Sequence, residues 1–183
     1  MTTVLQDYEY VREHVRMVPD FPKKGIMFLD ITTAIKDSKA MQTMIDFLYD
    51  KFKNEKVDYV AGIESRGFIF GAALAYKLGC GFVAIRKPNK LPAKTIKEDY
   101  SLEYGTNTIE MHEDALNSGD RVVVIDDLLA TGGTSIAACN LVKRLGAEVV
   151  STAFIIELDP LKGRQAIESN GYKVVSMLNY DLD

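Results

Sequence analysis

An apolar run, Val122-Val123-Val124-Ile125, stops at two adjacent carboxylates, Asp126 and Asp127. Leu128-Leu129-Ala130-Thr131-Gly132-Gly133-Thr134 follows, and then a helical pattern begins. A strand, a glycine-bearing turn and a helix in that order form the joint of an α/β protein. The joint puts two acids and a cluster of backbone N–H groups at the carboxyl edge of a parallel sheet, where such folds bind ligands. Glycines let N–H groups converge on an anion, the threonine hydroxyls add donors, and the helix adds its positive end. The acids suit sugar hydroxyls or a metal, so the stretch points to a phosphorylated sugar rather than a nucleoside triphosphate. An acid pair that merely caps the next helix is the alternative that the local residues leave open.

The rest of the chain repeats the alternation. Val4, Tyr8, Val11 and Val15 recur three or four apart and predict an amphipathic helix over 3–17, ended by Pro19 and Pro22. Residues 21–33 read as a connector or short extended element. A helix is predicted over 38–52, with Ser38 as N-cap and Met41, Met44, Ile45, Leu48 and Phe52 as its apolar face. A strand over 57–63 leads into Glu64-Ser65-Arg66-Gly67 and a helix over 68–78 that Gly79 stops. Strands are predicted over 81–85, 121–125, 148–156 and 172–178, and helices over 135–145 and 161–169. Residues 86–97 carry five basic residues, no acid and two prolines, and read as a long exposed loop. Short strands are expected around 97–100 and 106–112. Strands that are nearly all apolar and alternate with helices imply a mostly parallel sheet covered on both faces.

At 183 residues the chain is most simply one domain, 1–183, with a sizeable core. Its formal charge of -4 argues against nucleic acid as a partner. The basic run lacks interleaved aromatics and better suits closure over a polyanion. No apolar stretch is long enough to span a bilayer, and no apolar export core opens the chain, which favours a cytoplasmic protein without a membrane partner. Cys80 and Cys139 form no ligand cluster and read as reduced thiols. Common nucleotide and hydrolase motifs fail on particular residues. Gly133 is followed by Thr134 where a P-loop needs lysine. Gly79-Cys80-Gly81 leads from helix to strand, the wrong order for a dinucleotide fingerprint. Residue 63 is isoleucine where a nucleophile elbow needs glycine. Neither His14 nor His112 ends a core strand, so a serine–histidine triad is not expected.

Residues 122–134 resemble the phosphoribosyl pyrophosphate signature of the type I phosphoribosyltransferases. Pro19-Asp20-Phe21-Pro22, Gly25-Ile26-Met27-Phe28, Asp30-Ile31-Thr32, Glu64-Ser65-Arg66-Gly67-Phe68, Arg86-Lys87-Pro88, Lys90-Leu91-Pro92 and Tyr100-Ser101-Leu102-Glu103-Tyr104-Gly105 resemble the adenine branch of that family, over roughly residues 8–178. The resemblance implies a five-stranded, mostly parallel α/β sheet flanked by helices, with a small hood contributed mainly by 1–35 and a mobile loop at 94–105. It implies a homodimer that converts adenine and 5-phosphoribosyl 1-pyrophosphate to AMP and pyrophosphate with Mg2+, a purine-salvage glycosyltransferase. By the same resemblance Ala130, Thr131, Gly132, Gly133 and Thr134 hold the 5-phosphate, and Asp126 and Asp127 lie against the ribose hydroxyls. Glu64, Ser65 and Arg66 cradle pyrophosphate through a non-proline cis peptide, with Arg86, Lys87 and Lys90 nearby. Ile26, Met27, Phe28 and Leu29 form the base site. The metal has no direct protein ligand and is held through the substrate and water near Asp126 and Asp127.

The implied chemistry is displacement at the anomeric carbon through an oxocarbenium-like sugar. Arg66 stabilises the departing charge, and Glu103 is brought beside the base on loop closure. One departure stands out: many relatives carry arginine where this chain has Leu29. Three rivals remain at this level: a relative that takes hypoxanthine, guanine or xanthine, a non-catalytic sensor on the same fold, and, weakest, a sugar-phosphate kinase or nucleotidase.

Overall fold

The structure is a computed structural model and describes residues 2–101 and 106–182. Helix α1 spans Thr2–His14 and stops short of the expected residue 17. The Val15 N–H donates to the Arg12 carbonyl at 3.1 Å, and the chain reverses. Arg16–Val18 becomes strand β1 because it pairs antiparallel with β2, Phe28–Asp30. A short helix that the periodicity missed, α2 at Thr32–Lys36, precedes α3 at Ser38–Phe52. The cap of α3 is Asp37, one residue before the expected Ser38, and its carboxylate accepts from the Ala40 N–H at 2.8 Å.

Strand β3 (Tyr59–Ile63), helix α4 (Gly67–Leu78) and strand β4 (Gly81–Ile85) follow the expected order. Gly79 closes α4 at a φ of 73°, a conformation that disfavours a side chain. The basic segment is shorter as a loop than its composition implied. Strand β5 already begins at Thr95 and runs to Ser101, paired antiparallel with β6 at Thr106–His112. The Arg86 backbone also bridges Glu110 of β6, with N–H to carbonyl distances of 2.9 and 2.7 Å. Next come β7 (Arg121–Ile125), the two-residue strand β8 (Leu128–Leu129) and α5 (Gly133–Arg144). The chain then forms β9 (Glu148–Leu158), a 3-10 turn (Asp159–Leu161), α6 (Gly163–Ser169) and β10 (Val174–Tyr180).

The sheet order is β10-β9-β7-β3-β4, all neighbours parallel, with β8 added beside the end of β9. Its two faces are buried in separate apolar clusters. Val60, Val123, Ile125, Ala153 and Ile155 face one cluster with α3 and α4. Ala61, Val122, Val124 and Phe154 face the other with α5 and the β5–β6 hairpin. Strands β3 and β7 send alternate side chains into two cores, which explains their apolar runs, whereas β9 also buries Ser151, Thr152 and Glu157. Because the strands are parallel, the segments after β3, β4, β7 and β9 all leave the sheet at one edge. Among the described residues no helix is long and apolar enough to cross a membrane. Cys80 and Cys139 are free thiols, and burial pushes the Cys139 pKa up to about 12.

Candidate active site

At the sheet edge, Gly132 caps α5 at a φ of 84° and turns the backbone into the helix. The first intrahelical bond runs from the Ile136 N–H to the Gly132 carbonyl, 3.0 Å. The N–H groups ahead of it have no intrahelical partner and belong to residues that line a cavity of about 130 Å³. Asp126 and residues 128–135 line it, so Ala130, Thr131, Gly132, Gly133 and Thr134 are brought together as one cradle.

The two acids have different surroundings. Asp127 is buried at 5 % exposure, and its carboxylate accepts a hydrogen bond from Arg66 Nε. Asp126 keeps partial access to solvent and accepts from the Asp127 N–H at 2.9 Å. The residue is half-buried, but its carboxyl group packs beside Gly67 out of most of the water, and that desolvation, reinforced by the negative charge of Asp127, raises the Asp126 pKa well above its usual value. Burial works against the Arg66 charge, but the hydrogen bond and charge of Asp127, with Asp126 and Asp30 adding to the field, raise its pKa. The backbone brings these groups together at Gly67. A Cβ there would lie 2.7 Å from the Ile125 carbonyl oxygen and 3.1 Å from Asp126 Oδ1, so only glycine lets α4 start against β7.

The segment after β3 contains a cis peptide between Glu64 and Ser65. Glu64 accepts from Arg86 Nε at 3.1 Å, from Arg86 Nη2 at 3.3 Å and from the Lys87 N–H at 3.1 Å. The Arg86 hydrogen bonds hold the Glu64 carboxyl below its usual pKa. Arg86 Nη1 also donates to the Lys90 carbonyl at 3.1 Å. Glu64, Arg86, Lys87 and Lys90 therefore form one cluster, from which Lys87, Lys90 and Ser65 remain exposed. Arg66 leans instead toward the acid pair.

Of the residues expected at the base, Ile26 and Met27 are 45 % and 38 % exposed, which leaves two apolar side chains open. Phe28 packs edge-on against Phe21 with ring centroids 5.1 Å apart. Leu29 turns the other way, into the buried cluster that contains Val15 and Ile31. Asp30 accepts from Thr32 and from Arg16, and these bonds lower its pKa to about 2. Gly25, Ile26 and Met27 share an apolar cavity of about 260 Å³ with Leu158, Pro160, Leu161 and Leu182. Leu158, Pro160 and Leu161 are not among the site residues expected from the sequence. The available signal was Asp159-Pro160 interrupting an apolar strand at the ligand-binding edge. Glu103 lies outside the described residues.

Comparison with known proteins gives a consistent result. The phosphoribosyl transferase domain family matches residues 32–181. An adenine phosphoribosyltransferase of Koribacter versatilis is 51 % identical over 95 % of this chain and 94 % of its own length. Adenine phosphoribosyltransferase from Thermoanaerobacter pseudethanolicus superposes with a TM-score of 0.90 at 49 % identity, over 94 % of this chain and 99 % of that one. The Saccharomyces cerevisiae enzyme, solved with an imino-altritol bisphosphate and adenine, gives 0.88 at 37 % identity, over 95 % and 99 %.

Proposed function

The chain belongs to the phosphoribosyl transferase family, and from that membership we infer that it transfers the phosphoribosyl group from 5-phosphoribosyl 1-pyrophosphate to adenine, giving AMP and pyrophosphate. The observation that carries the reading is an anion cradle, an acid pair, a basic cluster and an apolar cleft at one sheet edge.

Residues 130–134 hold the 5-phosphate through backbone N–H groups and threonine hydroxyls. Asp126 and Asp127 face the ribose hydroxyls. Arg66, Arg86, Lys87 and Lys90 surround pyrophosphate and oppose the charge that grows on it as the glycosidic bond breaks. Arg66 and Arg86 are already paired with Asp127 and Glu64, so pyrophosphate enters a cluster whose positive charge is partly compensated. The base lies between the β1–β2 ribbon and the 158–161 segment, with Ile26, Met27 and Phe28 on the ribbon side. Backbone groups at 26–29 read the exocyclic amine. A buried polar group left unpaired costs about 1–3 kcal/mol, enough to disfavour a 6-oxopurine. Leu29 has its side chain in the core, which supports a role at the base through its backbone alone. Glu103 acts beside the base, on its proton or on the positive charge that develops there.

Among the described residues no three His, Cys, Asp or Glu side chains converge as a metal cage. Mg2+ typically keeps several waters and binds substrate phosphates, so here it would be held through the substrate and water beside Asp126 and Asp127 rather than by their carboxylates directly. A bound ion would supply neutralisation of the pyrophosphate charge, while Asp126 and Asp127 would orient its water. A homodimer and a cytoplasmic location belong to the same reading. Exposed Ile69, Tyr76 and Phe82 on α4 and the edge strand support the first. The free thiols are compatible with the second.

The test is a Mg2+-dependent assay of AMP formation against a panel of purines. Adenine is the expected acceptor. Turnover of hypoxanthine or guanine instead would move the chain to a sister activity, and ligand binding without AMP would make it a sensor. Changing Glu103 to Gln should lower kcat far more than phosphoribosyl pyrophosphate affinity, and an unchanged kcat would remove Glu103 from the reaction.

A further inference from the structure

The start of α6 touches the phosphate loop without belonging to it. A Cβ at Gly163 would lie 2.1 Å from the Ala130 carbonyl oxygen and 2.7 Å from Leu129 Cδ1. From the other side, a Cβ at Gly132 would lie 2.9 Å from the Gly163 carbonyl oxygen and 3.2 Å from Ile167 Cγ1. Two backbones are thus in direct contact, and each needs glycine for the approach. The contact depends on where α6 sits: buried Ile167 packs the helix into the apolar cluster with α5, and one guanidinium orients its first turn. Arg164 Nε and Nη2 donate to the two oxygens of Glu157 at 2.9 and 2.5 Å. Nη2 also reaches Ser176 Oγ at 2.8 Å, and Nη1 reaches the Val174 carbonyl at 3.0 Å.

Glu157 is buried at 3 % exposure. It sits opposite Leu129 in the β8–β9 pairing and opposite Asn179 in the β9–β10 pairing. The fork therefore ties the helix that presses on the phosphate loop to the strand beside the residue that enters that loop. A bidentate guanidinium fixes orientation as well as distance, which a lysine ammonium cannot reproduce. The same short segment lines the apolar cleft through Leu161, so its placement reaches both the phosphate and the base.

We propose that Arg164 is a positioning residue for the 5-phosphate loop, acting through Glu157 and the Gly163–Ala130 contact. It makes no contact with substrate. Its part in the reaction rests on the phosphoribosyl-transfer reading, whereas the brace itself can be measured without any ligand.

The experiment uses the full chain with two substitutions, Arg164→Lys, which keeps the charge but loses the fork, and Gly163→Ala, which keeps the fork but pushes on Ala130. In both, backbone amide exchange at residues 130–134 should quicken while residues 64–67 are unchanged. AMP affinity should fall about tenfold or more, the loss expected when one hydrogen bond to a charged phosphate is spoiled. Pyrophosphate affinity should stay within about twofold, because its cluster lies on the other half of the cleft. Unchanged exchange at 130–134 in both variants would overturn the brace. Equal loss of AMP and pyrophosphate binding would overturn it as well, by showing a general loosening. A wild-type chain that fails to bind AMP, while the exchange pattern holds, would count against the phosphoribosyl-transfer reading and leave the brace standing.

Discussion

The halves of the cleft proposed for the 5-phosphate and for pyrophosphate would bind anions by opposite means. The 5-phosphate half is made of backbone, with a left-handed Gly132, a helix start and glycine contacts that leave no space for a side chain. The pyrophosphate half is made of long charged side chains, with Arg86 paired to Glu64 and Arg66 paired to Asp127. Backbone N–H groups are fixed before the ligand arrives and carry no titratable charge. Side-chain cations must be held by carboxylates when the ligand is absent and change partners when it binds. The first half is therefore expected to depend on shape and the second on charge, and substitutions can test that division.

The largest effect should come from shape. Gly132→Ala places a Cβ at a φ of 84°, 2.9 Å from a backbone oxygen that cannot swing away. The left-handed conformation alone costs about 1–2 kcal/mol with a side chain. Misplacing the cradle by about 1 Å can cost about a hundredfold in rate. We expect kcat/KM for AMP formation to fall by about that factor in steady-state assays. Wild-type kcat/KM in this variant would end the view that the cradle is fixed by backbone packing.

A smaller and more selective effect is expected on the charged half. Arg66→Ala should weaken pyrophosphate and phosphoribosyl pyrophosphate about tenfold while changing AMP affinity much less, measured by calorimetry. The variant also leaves the buried Asp127 carboxylate without its partner, so its Tm should fall. Adding Asp127→Asn should recover Tm but not pyrophosphate affinity. Recovery of both would mean that Arg66 serves the fold and not the ligand.

The same division explains how much was legible in the sequence. The cradle is readable in the sequence because strand, turn and helix are consecutive, and the bounds of β6 follow from its local alternation. Glu64, Arg86, Lys87 and Lys90 stand out by residue type, but the pairing of Arg86 with Glu64, which joins the ends of β3 and β4, is not legible in the sequence. The difference between Asp126 and Asp127 was also hidden, since adjacent residues of one type look equivalent until Arg66 selects one of them. Gly163 and Arg164 carried no local sign at all. Their importance comes from Ala130 and Glu157, which only the fold brings near. The early end of α1 has the same origin, because Arg16 prefers a ladder to Asp30 over another helical turn.

The smallest predicted effect compares one carboxylate from each half by its response to pH. Asp126 has a raised pKa, so its ionisation opposes folding. The stability it contributes is fully present below its unfolded value near 3.8 and is lost as pH rises through its folded value. Asp126→Asn should therefore raise Tm near pH 8 and have little effect near pH 4, while lowering activity because the ribose loses an acceptor. Glu64 has a lowered pKa, chiefly through the Arg86 hydrogen bonds. Its stability is present above its unfolded value near 4.5 and is lost as pH falls through the folded one. Glu64→Gln should lower Tm near pH 8, with the difference closing in acid. The pair is partly exposed, so solvent screening limits this change to about 1–3 °C. Thermal melts of both variants between pH 4 and 8 should thus diverge from wild type in opposite directions as pH rises. Parallel curves would mean that the two halves of the cleft do not differ in how they carry charge.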